Sequence, residues 1–196
     1  MWKAFLFGAI VAAAIGPIAL LIFGLGARQG IAASAFAGLG AALGDCLYAL
    51  VAFIAGALIL PLLAAYEPAI RVGCALLLVG LGAWMLVGQL RRREAPAAPQ
   101  PATRFFLPVF LMTIVNPMTI VVFTGIVPQL PVAGSFARAV SLALALASGS
   151  AVVQLTIAAA GSVVGKALPG ESWRRAISAA SAIGILAFGI AGLASV

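Results

Sequence analysis

Hydrophobic positions along this chain neither alternate nor gather into one helical stripe; they run on. Stretches without a single charged residue cover 4 to 27, 72 to 90, 105 to 137, 139 to 165 and 176 to 196. Several are long enough for the roughly 20 helical residues that cross a bilayer. In lipid every backbone N–H and C=O must pair inside the protein, which leaves helices or a closed barrel. Barrel strands alternate apolar and polar positions, and these runs are apolar on all sides, so the pattern predicts helices. The spans predicted are 5 to 26, 36 to 62, 71 to 90, 105 to 128, 139 to 165 and 176 to 195. The chain therefore reads as an all-α integral membrane protein of about six transmembrane helices.

Composition agrees: 65% of the 196 residues are hydrophobic and 8% charged, against roughly 25% charged in a soluble domain. The net charge of +7 does not point to nucleic acid, because Lys and Arg sit at the ends of apolar runs and form no basic face. They set topology instead. Arg28, Arg91, Arg92, Arg93, Arg104, Lys166, Arg174 and Arg175 fall on one side of the predicted spans, and Lys3, Arg71 and Arg138 on the other. Short loops rich in Lys and Arg stay cytoplasmic, which puts both termini outside a bacterial-type inner membrane. Trp2, Tyr66 and Trp173 fall near predicted interfaces, as aromatic anchors do. The first apolar run continues to Ala27, longer than a signal-peptide core, and is read as a membrane helix.

The stretch from 91 to 104, RRREAPAAPQPATR, reads as an exposed cytoplasmic linker. It divides the chain into a first three-helix repeat over 1–90 and a second over 105–196. Residues 38 to 56, GLGAALGDCLYALVAFIAG, align with 143 to 161, ALALASGSAVVQLTIAAAG, with six of 19 positions identical. Asp45 then corresponds to Ser150, and Gly16-Pro17 in the first span to Asn116-Pro117 in the fourth. Three-helix halves must lie in opposite orientation, the inverted-repeat plan of many secondary transporters.

Pro17 and Pro117 each remove a helix hydrogen bond near the middle of a span and displace the carbonyls of Ala13 and Thr113. A lone kink is repaired by neighbours, but paired breaks in corresponding helices point to a midplane binding site. Asp45 is the only carboxylate within a span, about 9 residues and roughly 13 Å into the second. Burying it unpaired costs at least ~2.5 kcal/mol, so it is protonated, hydrated or paired with a cation; the contrary case is a second span that starts only near Gly44. Tyr48 shares its helical face, suited to an ammonium or simply to packing. Asn116 offers donor and acceptor at the break, and Gln154 and Ser150 add polar groups in span five, although each also serves as interhelical glue. Gly38, Gly40 and Gly44 leave the helix bare beside Asp45, for packing or for passage. The chain has no His, which sets aside Ser-His hydrolysis and the usual zinc sites, and it has no phosphate loop. No enzyme activity and no cofactor or metal is expected.

Gly16-Pro17, the glycine series ending at Gly44-Asp45 and the string TIVNPMTIVVF together resemble the lysine-exporter (LysE-type) family. Many members carry Lys after the Asn-Pro pair, where this chain has Met118. The resemblance implies a secondary transporter that exports amino acids such as lysine, arginine, threonine or homoserine, with Asp45, Asn116, Tyr48 and Gln154 as substrate or proton ligands and Gly16, Pro17 and Pro117 at helix breaks. An inorganic cation carried by the same fold is the rival. A thiol oxidoreductase using Cys46 and Cys74, which are not in Cys-x-x-Cys spacing, and a non-transporting scaffold are weaker readings. Partners are a small-molecule substrate and the bilayer, with no nucleic acid; small residues on several spans permit a homodimer without showing one.

Overall fold

A computed structural model describes residues 1–13, 16–91, 101–114, 116, 119, 123, 135–168 and 170–194. Among these, all regular structure is helical: α1 (Trp2–Ala13), α2 (Pro17–Gln29), α3 (Ile31–Arg91), a 3-10 turn (Ala102–Phe105), α4 (Phe106–Ile114), α5 (Phe136–Ala167) and α6 (Glu171–Ala194). Ile31–Ile54, Phe136–Ala167 and Arg175–Ala194 are long and apolar enough to cross a bilayer; α1 and α2, bent by 74° to each other, make a fourth if the pair is counted as one span. Ala75–Gly88 and Ala102–Ile114 are apolar but shorter. The protein is thus an all-α membrane protein.

The first expected break lies where Pro17 is. α1 ends at Ala13, Gly16 takes an extended conformation (φ −128°, ψ −178°), and Pro17 opens α2 at its first position, where a missing N–H costs nothing. α2 ends at Gly30, whose φ of +86° suits glycine, and its N–H returns to the Gly26 carbonyl. Across that turn the Ser34 hydroxyl donates to the Ile22 carbonyl at 2.6 Å.

α1 and α2 follow α5 in one direction, Gly8 against Leu146 and Gly161 against Phe23. The first part of α3 runs antiparallel to α5, with Gly38 on Gln154 and Asp45 on Ser150, and alongside α4, with Gly40 on Phe106 and Gly44 on Thr113. Its last part lies antiparallel to α6, with Gly82 on Leu186 and Gly189 on Val79. α3 is therefore not one straight rod. Gly24 on Ser181 and Gly26 on Ser162 hold α5 and α6 level against α2. From there Gln154 and Leu186 are only about 12 and 8 Å along their helices. A straight helix would set Gly38 and Gly82 roughly 66 Å apart, so α3 doubles back between them.

Two apolar clusters sit above and below the centre. One joins Ala49 and Phe53 to Phe123 and Leu146; the other joins Ile18, Ile22, Ala41, Val109 and Ala158. Large apolar side chains outside them face outward, among them Ile10, Val51, Trp84 and Ile190, as lipid contact demands. Trp2, Tyr66 and Trp173 are all exposed.

Candidate functional site

Between the clusters, the α1–α2 break, α3, the end of α4 and α5 line a small cavity. Its polar lining is Asp45, Thr113, Asn116, Thr119 and Gln154; Val11, Ala12, Ile18, Ala19 and Ala41 supply the apolar wall. The space open to the centre of a water molecule is about 40 Å³, room for about three waters.

Asp45 is buried, 14 positions into α3, which disposes of the reading that places it at a helix start. The Ser150 hydroxyl donates to its Oδ2 at 2.6 Å. Ser150 is fully buried on α5, and it is the position that the alignment of residues 38 to 56 with 143 to 161 sets against Asp45.

Asn116 follows the end of α4. α4 stops at Ile114, and the Asn116 N–H turns back to the Thr113 carbonyl at 3.2 Å. The next carbonyl, on Ile114, accepts from the Tyr48 hydroxyl. Tyr48 thereby closes the end of α4 instead of lining the cavity, and its ring stacks on Phe123 with centroids 5.3 Å apart. Asn116 is buried and lines the cavity; Pro117 and Met118 lie outside the described residues. Gln154 is 5% exposed, and its Oε1 is a buried acceptor without a partner. Such a group in a native interior calls for a ligand or a water.

The glycines beside Asp45 are filled by packing. A Cβ on Gly44 would lie 2.7 Å from Thr113 Cγ2, and one on Gly38 3.1 Å from Gln154 Cβ. They let α4 and α5 bring Thr113 and Gln154 to the cavity. Thr113 and Thr119 were not among the candidates read from sequence, although Thr113, Asn116 and Thr119 recur every third position across the break. Among the described residues no three of His, Cys, Asp and Glu come together. Cys46 carries a free thiol packed beside the first cluster, and the side chain of Cys74 lies outside the described ones.

The family model of the LysE type translocators matches residues 9–195. The chain belongs to that family. It is therefore a transporter of the membrane. Neither a curated protein nor a solved structure matches the chain.

Proposed function

We propose that this LysE type translocator is a secondary exporter that carries amino acids or related small metabolites out of the cytoplasm, using the cavity at Asp45 as its midplane site. The observation that carries the reading is the convergence of a buried carboxylate, an unpartnered glutamine oxygen and two helix ends on one small cavity. Broken helices at a midplane site let the two halves rock around a fixed ligand.

The same reading includes six spans in two inverted halves, 1–90 and 105–196, joined by a cytoplasmic 91–104 linker, with both termini outside the inner membrane. Three things support it: the contact of Asp45 with its repeat counterpart, the matching of the α1–α2 break by the end of α4 at Asn116, and the charge imbalance of the loops. The Arg28 guanidinium donates to Ser178 at 2.7 Å, so two segments assigned to the cytoplasmic side lie together. An inorganic cation as cargo would find one carboxylate in the cavity, sparse for a hard divalent ion.

Efflux from preloaded proteoliposomes, across a panel of amino acids and inorganic cations, tests the proposal. Amino-acid efflux is expected, and Asp45→Asn should abolish it or uncouple it while the protein still inserts at normal abundance. If Asp45 holds an ammonium, both counterflow and net efflux fall; if it carries a coupling proton, counterflow persists and gradient-driven efflux is lost. Unchanged transport by Asp45→Asn would remove Asp45 from the mechanism, and efflux of cations alone would overturn the amino-acid reading.

A further inference from the structure

Ile18 and Ala19, the second and third residues of α2, line the cavity. Their backbone N–H groups belong to the first helical turn, which has no helical carbonyl to give to. No side chain caps this end: the cap position is Gly16, and the first helical bond runs from Leu20 N–H to its carbonyl at 3.1 Å. The N-terminal end of a 13-residue helix, with its partial positive charge, therefore stands in the wall of the cavity. Asp45, which accepts from Ser150 at Oδ2, and Gln154, whose Oε1 is a buried acceptor without a partner, line the same space. Among the described residues no Lys or Arg lines it.

Resting on the exporter reading above, we propose that the cavity is built for a small neutral α-amino acid taken as a zwitterion: its carboxylate on the Ile18 and Ala19 amides, its ammonium between Asp45 and Gln154. The two ends of the cavity have opposite polarity. A helix start without a cap receives an anion, and a carboxylate with an amide oxygen receives the three N–H donors of an ammonium. Gln154 Oε1, which has no reason to be buried bare, gains its donor when the ammonium arrives. The side chain is left facing Val11, Ala12, Ile18 and Ala41, which are apolar and offer a second ammonium nothing. A basic amino acid would bring a charge that this wall leaves uncompensated in a low-dielectric site, a steep penalty. Small aliphatic side chains fit the wall.

Competition against labelled alanine in proteoliposome counterflow decides the matter, with four unlabelled probes: valine, lysine, alanine methyl ester and propionate. The expected order is strong competition by valine, and competition by the other three weaker by tenfold or more. The ester lacks the carboxylate charge, propionate lacks the ammonium, and lysine adds a cation. Gln154→Leu, which is close in size and leaves no orphaned oxygen, should raise the KM for alanine about tenfold or more while the protein elutes as a folded species. Competition by the ester equal to that of valine would overturn the role of the α2 amides. Lysine competing best would overturn the neutral-substrate assignment yet leave the exporter standing, and an unchanged KM in Gln154→Leu would remove the ammonium seat. If alanine and every other amino acid fail to move while an inorganic cation does, the exporter reading falls together with this one.

Discussion

Asp45 and Tyr48 stand three positions apart on one face of α3, and the structure gives them different work. Asp45 turns to the cavity and accepts from Ser150. Tyr48 reaches across to the last carbonyl of α4. A carbonyl left bare inside a membrane protein has few other donors to turn to, so its donor matters more than it would at a soluble surface. Tyr48→Phe should therefore lower the stability of the purified protein by about 1–3 kcal/mol, read as a loss of several degrees in Tm in detergent. Binding of alanine at saturating concentration should survive, since the ring still stacks on Phe123. An unchanged Tm would mean that another donor serves the Ile114 carbonyl. What sequence could say of these residues was their depth and their shared face; whether each faced ligand or backbone depended on α4, which arrives from 66 positions away.

At the scale of elements, close backbone approach governs how the cavity is assembled. Gly44 on Thr113 and Gly38 on Gln154 set how near α4 and α5 come to α3, and through them how polar side chains converge. Gly44→Val would press branched carbons into the Thr113 side chain, costing about 1–3 kcal/mol and opening the α3–α4 contact. Loss of transport together with a lower Tm is expected. Gly73→Ala is the matched control: nothing lies within 4 Å of the added carbon, and alanine favours helix over glycine by about 1 kcal/mol. Transport at normal levels is expected there. Equal damage from both substitutions would show that helix flexibility, not packing, is what these glycines provide. The glycine series was legible as a bare helix surface, but its neighbours were not, because small residues accept any partner that comes close.

For the whole molecule, the charge pattern predicts that the linker between the halves is cytoplasmic. In a chain whose Cys46 and Cys74 are replaced by Ala, a cysteine introduced as Ala98→Cys should resist an impermeant thiol reagent in intact cells and react after lysis. Ready labelling from outside would reverse the orientation of every span. Reversal would also place the Arg28–Ser178 contact on the opposite face, so the same experiment orients the cavity and tells which opening is inward.

Sequence alone determined that this chain lives in a bilayer as helices, that its first span breaks at Gly16-Pro17, and that Asp45 is the one carboxylate within a predicted span. Those properties are local: uninterrupted apolar runs, a ring without an N–H, and one carboxylate where desolvation is costly. Only the tertiary structure decided that Asp45 meets Ser150, that Gln154 faces the cavity with a bare oxygen while Tyr48 closes a helix end, and that α3 doubles back to pack on both α5 and α6. Each of these is a relation between segments distant in the chain. In lipid, helices associate through shape and hydrogen bonding with little hydrophobic drive, and such complementarity is expressed only once the surfaces are brought together.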